Sequence, residues 1–265
     1  LGVEVSPVTT YPKEQYAIDP DRIEAAITGK TRAIVLPTPG NPTGSVISAE
    51  NLRRIAEICA AKDVFFICDE VYREFVYDDR HGPRAPSLLD QPAADELGIV
   101  IDSVSKRYSA CGARIGWIVT RNQEIREAAL RFGQARLSPA TVDQYAAMAA
   151  LEVPESWFEE VKAEYKARRD VLVAGLRRIG LDAPTPEGAF YLAIALPVED
   201  ADTFCRWMLT EFDLNGETMC MAPLAGFYQT AGLGKNEVRM AYVLEQQILE
   251  RCVDILEAAL TAWNA

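Results

Sequence analysis

Four short apolar runs set the limits on what this chain can fold into: Ala33 to Leu36, Val64 to Cys68, Leu97 to Ile101 and Arg114 to Thr120. Each is too short for a buried helix and reads as a strand, the first three as buried strands. After the first run, Ser48 can cap a helix over residues 49–62 whose inner face holds Leu52, Ile55, Ala56 and Cys59. Strands and amphipathic helices in alternation, with near-continuous apolar strands, predict a mainly parallel sheet covered on both faces. A short helix is expected over residues 19–27, with Ile23, Ala26 and Ile27 on one face. The alternation in residues 1–8 predicts a further strand at the very start.

Helical periodicity continues over residues 122–135, 139–151 and 156–179. After Gly180 the texture changes to short strands and loops: residues 189–193, 219–223 and 238–243 read as strands, and residues 246–262 as a closing amphipathic helix. With 265 residues the chain is long enough for two domains. The change of texture places a boundary near residue 168, with an α/β part over 1–168 and a smaller α+β part over 169–265.

A net charge of −12 argues against a nucleic-acid surface. No stretch reaches the apolar length of a membrane span, and no signal peptide opens the sequence. The six cysteines are scattered without a C-x-x-C pair, mostly in apolar runs, which favours free thiols and a cytoplasmic setting. His81 is the single histidine and lies in a polar loop. Ser-His-Asp and Cys-His catalysis and histidine-based zinc sites are thereby disfavoured. Any chemistry falls to lysine, tyrosine, carboxylate and arginine, or to a cofactor.

Lys106 stands in Ser103-Val104-Ser105-Lys106, just past an apolar strand, with Arg114 eight residues on. A lysine at the end of a buried strand is costly unless neutralised or bonded. A Schiff base needs such an amine. On this stretch alone a solvated loop lysine beside a helix cap fits equally well. Asn41, Asp69 and Lys106 each follow an apolar strand and are expected at one edge of the sheet, where ligands collect. A planar cofactor with an aldehyde and a phosphate would suit them. Lys106 can form an imine, and Asp69 can pair with a protonated ring nitrogen. Asn41 and Tyr72 can bond a ring oxygen, and Ser103, Ser105 and Arg114 a phosphate.

Four ordered motifs carry a resemblance: Asn41-Pro42-Thr43-Gly44, Asp69-Glu70-Val71-Tyr72, Ser103-x-Ser105-Lys106 with Arg114-x-Gly116, and Arg239 in Val238-Arg239-Met240. In order and spacing the sequence resembles the class I/II aminotransferases of pyridoxal-phosphate fold type I. The resemblance implies a mostly parallel α/β large domain that lacks its first strands, followed by a smaller α+β domain. It implies pyridoxal 5'-phosphate as cofactor and Lys106 as the Schiff-base lysine, with Asp69 on the pyridine nitrogen and Asn41 and Tyr72 on the ring oxygen. Ser103, Ser105 and Arg114 would hold phosphate, and Arg239 the substrate α-carboxylate. A cis peptide before Pro42 is expected on the same ground. Arg136 stands where some aspartate aminotransferases carry an arginine for a second carboxylate, given by the partner subunit. A helix-ending arginine is an equal alternative for it. Phe190 is either a pocket wall or core.

The expected activity is amino transfer between an L-amino acid and a 2-oxo acid, such as aspartate with 2-oxoglutarate, in a cytoplasmic homodimer without nucleic-acid or membrane partners. Alternatives are another reaction on the same residues, such as a carbon–sulfur β-lyase, and the aminotransferase-like sensor domain of a transcription regulator. About a third of a full-length family member has no counterpart before Leu1. The chain alone is therefore expected to bind the cofactor weakly and to transaminate poorly.

Overall fold

The computed structural model describes residues 2–264. Chain compactness divides it into two units. The first, here the N-terminal unit, comprises Ala17–Gly40 and Ser45–Glu160; the second, the C-terminal unit, comprises Leu1–Tyr16, Asn41–Gly44 and Val161–Ala265. The division thus falls a few residues before the expected boundary at 168, and two earlier segments join the C-terminal unit.

In the N-terminal unit, helix α1 (Pro20–Ala26) precedes strand β1 (Ala33–Pro37), helix α2 (Ala49–Lys62) and strand β2 (Phe65–Asp69). Strand β3 (Gly98–Ser103), the one-turn helix α3 (Val104–Arg107) and strand β4 (Gly116–Val119) follow. The strands form one sheet in the order β1-β2-β3-β4. Its first two pairings are parallel and the third is antiparallel. The sheet is mostly parallel, as the apolar runs require.

Helix α2 forms where a cap and a periodic apolar face coincide. The Ser48 side chain accepts the Asn51 N–H at 3.1 Å, and Leu52, Ile55, Ala56 and Cys59 are buried. They join one core with Phe66, Cys68 and Val100, from the face of the sheet turned toward the helix. The opposite face is covered only in part: Ile99 is buried there, but the residues around it are not. Val35, Ile101 and Ile118 are 64%, 37% and 53% exposed. Their register places Ile101 beside Ile118, and alternation along the strands puts Val35 on the same side. So β1 is an exposed edge strand rather than a buried one.

Two other expectations fail. Residues 2–11 have no regular structure and residues 2–8 are exposed; the first residue of the expected strand, Leu1, lies outside the described residues. Alternation makes a strand only where a neighbour supplies hydrogen bonds. The helices α4 (Gln123–Arg136) and α5 (Thr141–Ala150) form where periodicity placed them but bury no side chain.

Helix α6 (Glu155–Arg178) begins in the N-terminal unit and runs into the C-terminal one. There follow strand β5 (Tyr191–Ala195), helix α7 (Ala201–Thr210), strand β6 (Ala222–Pro223), strand β7 (Glu237–Ala241) and helix α8 (Gln246–Trp263). The three strands form an antiparallel sheet, β5-β7-β6, with β7 in the middle. Helix α7 was not expected from the texture of this region. Asp200 caps it, accepting the Thr203 N–H at 2.9 Å, and Ala201, Phe204, Cys205 and Met208 are buried.

Candidate active site

The motif residues divide between the units. In the N-terminal unit, Asp69 ends β2 and Ser103 ends the neighbouring β3, with Asp69 in register with Ile101. Adjacent strands lie about 4.8 Å apart. Helix α3, which carries Lys106, starts directly after Ser103. A carboxylate and a lysine are thus presented from the carboxyl ends of two neighbouring parallel strands, the edge where such sheets bind ligands.

Burial holds the Asp69 carboxyl above the ordinary aspartate range, against the lowering effect of the Val71 N–H. That N–H donates to Asp69 Oδ1 at 3.2 Å. Tyr72 is buried, 5% exposed. Glu70, the first residue past β2, serves a separate network. Its Oε1 accepts the Leu88 N–H at 2.7 Å and the Ser87 hydroxyl at 3.1 Å. Asp69 and Glu70 therefore do not form an acid/base pair.

Ser103 Oγ caps α3 by accepting the Ser105 N–H at 3.2 Å. Lys106 and Ser105 are half-buried. Arg114 is exposed, with a left-handed backbone (φ 56°), and donates to the Cys111 carbonyl at 2.8 Å. Arg136 ends α4 and is exposed.

In the C-terminal unit, Arg239 lies on the central strand β7. Its Nη1 donates to Asn41 Oδ1 at 2.9 Å. Its guanidinium carbon sits 4.7 Å from the Tyr191 ring centroid and 5.4 Å from that of Phe227. Two rings and an amide thus fix the orientation of one cation. The Asn41–Pro42 peptide is cis, as is Thr38–Pro39. Gly44 closes the motif with φ 70° and accepts the N–H groups of Glu187 and Gly188 at 3.0 and 2.8 Å. A Cβ there would meet Pro186 Cβ at 2.5 Å and two carbonyl oxygens at 2.9 Å. Only glycine fits. Phe190 is buried, with ring centroids 5.4 Å from Tyr165 and 4.9 Å from Tyr191.

Sequence reasoning missed a buried charge network beside Lys106. Arg107 donates to Asp102 and pairs with Glu74 at 3.2 Å. Both carboxylates are buried, 6% exposed. Asp102 Oδ1 also accepts the Ser103 N–H at 2.7 Å. Arg84 pairs with Glu74 at 2.8 Å and with Glu155 at the start of α6. Two adjacent cations at a strand end, Lys106 and Arg107, were the available signal: such charges demand buried counter-charges.

A family model described as aminotransferase class I and II matches residues 1–227. The chain belongs to that family. Among its aminotransferase relatives, a probable aspartate/prephenate aminotransferase of Thermus aquaticus is 32% identical over 98% of this chain and 64% of its own length. Aromatic-amino-acid aminotransferase 2 of Thermococcus litoralis is 31% identical over 96% of this chain and 63% of its own length. The structure of aspartate aminotransferase from Thermus thermophilus with maleate superposes with a TM-score of 0.81 at 27% identity, covering 94% of this chain and 62% of that one. This chain therefore spans a little under two thirds of the length of these aminotransferases. Among the described residues, no helix is long and apolar enough to cross a membrane.

Proposed function

We propose that the protein carrying this chain transfers an amino group between an L-amino acid and a 2-oxo acid, with pyridoxal 5'-phosphate as cofactor. The observation that carries this reading is the placement of Asp69 at the end of β2 and of Lys106 in the helical turn that directly follows the adjacent parallel strand β3, in a chain of the aminotransferase family.

The donor set fits the cofactor. A carboxyl raised by burial, as Asp69 is, is relieved by a cation placed against it, such as a protonated pyridine nitrogen. Ser103, Ser105 and Arg114 supply the hydroxyls and the fork that hold a phosphate, and Tyr72 with Asn41 supplies donors for a ring oxygen. Bound there, the cofactor supplies an aldehyde for an amine and a ring that accepts the electron pair left when a substrate proton departs.

Lys106 Nζ carries out the proton work. As a free amine it takes a proton from the substrate carbon, and as an ammonium it returns one elsewhere. As a carboxylate, Asp69 would hold a proton on the ring nitrogen of the bound cofactor. Arg239 binds the substrate α-carboxylate through its fork, oriented by Asn41 and the two rings. Arg136 prefers a second substrate carboxylate, which makes dicarboxylic substrates such as aspartate and 2-oxoglutarate the preferred pair. Two of the relatives' names, aspartate/prephenate and aspartate aminotransferase, support aspartate as the amino donor, while a third, aromatic-amino-acid aminotransferase 2, names aromatic substrates. In the same proposal, residues 1–168 form the cofactor-binding large domain and 169–265 the small one, in a cytoplasmic homodimer. Free thiols at all six cysteines support a reducing compartment.

The test is an absorbance spectrum of the full-length protein with pyridoxal phosphate, before and after each candidate amino acid, with product analysis. Loss of the cofactor-bound band on adding aspartate, and glutamate formed from 2-oxoglutarate, is expected. Lys106→Ala should lower turnover by about 10²–10⁴-fold. Ammonia and pyruvate as products would replace amino transfer with a lyase reaction. Unchanged aspartate-over-alanine preference in Arg136→Ala would remove Arg136 from substrate selection.

A further inference from the structure

We infer that Arg107 is the positioning residue for Lys106, acting through the buried carboxylates of Asp102 and Glu74. This inference rests on the cofactor role assigned to Lys106 above.

Helix α3 is a single turn, Val104–Arg107. A turn of that length has no stability of its own, because nucleation fixes several residues for one hydrogen bond. Something outside the helix must hold it, or Lys106 has no fixed base. Its start is held by the Ser103 cap and by Val104, 1% exposed. Its end is held by Arg107, whose side chain reaches back to Asp102 on β3 and across to Glu74.

Asp102 therefore grips the strand-to-helix junction at both ends. One oxygen takes the Ser103 N–H and the other the Arg107 guanidinium. Lys106 lies between those two grips. Glu74 braces the other side of Arg107 and is itself tied through Arg84 to Glu155. Tyr108, the next residue, packs with ring centroids 6.1 Å from Trp157 and 5.7 Å from Phe158. The junction is thus anchored to the first turn of α6 by charge and by rings.

Arginine suits this place better than lysine. Its planar fork spans two carboxylates at once, and its charge does not titrate. Placement matters because a displacement of about 1 Å in a reacting group can cost about a hundredfold in rate. The brace should consequently bear on proton transfer at Lys106 and leave α-carboxylate binding by Arg239 alone.

The experiment compares Arg107→Lys with a charge-free triple variant, Arg107→Met with Asp102→Asn and Glu74→Gln, in the full-length protein. The triple variant leaves no buried ion without its counter-ion, so it keeps the question answerable if Arg107→Met alone fails to fold. Three quantities are read: kcat and KM, the rate at which pyridoxal phosphate becomes borohydride-fixed to Lys106, and the thermal transition. The expected result is a tenfold to hundredfold fall in kcat and in Lys106 labelling in the triple variant. KM should stay within about twofold and unfolding should stay cooperative, with Arg107→Lys intermediate. Labelling and kcat within twofold of the unsubstituted protein, with only the melting temperature lowered, would overturn the inference and leave the cofactor reading intact. No label on Lys106 in the unsubstituted protein would overturn both.

Discussion

Arg239 shows how much of a binding group is built by its neighbours. The guanidinium has its own charge, but its direction comes from Tyr191 on one strand, Phe227 before β7 and the Asn41 amide. Cation–π contacts at partly exposed sites contribute about 0.5–1 kcal/mol. Phe227→Leu should therefore raise KM for amino and oxo acids about twofold to fivefold with kcat nearly unchanged, as steady-state kinetics would show. Asp102 gives a second prediction at this scale. Burial pushes its carboxyl up to about 6, against the lowering effects of Arg107 and the Ser103 N–H, with Glu70 and Glu74 adding to the rise. The folded protein then holds more protons than the unfolded chain between about pH 4 and pH 6. Through this group, stability falls as pH rises across that window. Asp102→Asn should gain relative to the unsubstituted protein as pH rises from 4 to 6.5 in urea melts; a difference independent of pH would refute the assignment. Both predictions involve residues of unequal visibility. The residues proposed to meet cofactor and substrate, Asn41, Asp69, Lys106 and Arg239, were legible because each sits in a short motif with its own spacing. Phe227 and Glu74 were not, because they reach their partners through the fold; Asp102 sits within five residues of both its partners, Ser103 and Arg107, and the adjacent cations Lys106 and Arg107 were its only signal.

Elements were legible where two local signals agreed. Helix α2 has a capping serine and a buried stripe, and both are found in the structure. Ser48→Ala should cost about 1 kcal/mol, and Ile55→Ala about 2–5 kcal/mol because Ile55 is fully buried; chemical denaturation measures both. Helix α7 carries the same pair of signals, the Asp200 cap and the buried stripe of Ala201, Phe204, Cys205 and Met208, so its position too is written in local sequence. The opposite failure occurred at residues 2–8, where alternation was present and a partner strand was not. The exposure of β1 was also beyond the sequence, since Val35 looks like any core valine until the partly covered side of the sheet is known. Gly44 illustrates a demand that sequence motifs record without explaining. Gly44→Ala would force a methyl into Pro186 and two carbonyls at a left-handed φ, and should destabilise the protein by more than about 1 kcal/mol, visible as a lowered melting temperature.

At the scale of the whole molecule, two groups stand out among the exposed apolar side chains of the described residues. One is the sheet face of Val35, Ile101 and Ile118; the other is the pair α4 and α5, where Leu130, Phe132, Val142, Tyr145 and Met148 are each more than 60% exposed. Large exposed apolar side chains in such numbers favour association. The 265-residue chain should bind a hydrophobic dye and self-associate in sedimentation experiments, and replacing Phe132, Val142 and Met148 by serine should reduce both. The interleaving of the two units has its own consequence. Asn41–Gly44, a tetrapeptide that in sequence interrupts the N-terminal unit, belongs with β7 and with the part of α6 after residue 160, and Tyr16 shares the Glu237 carboxylate with Tyr228. A polypeptide severed after residue 160 cannot yield two self-sufficient halves. The distal piece would leave behind the amide that orients Arg239 and a phenol that sits on Glu237, so excision would disarm its proposed substrate grip before any chemistry was attempted.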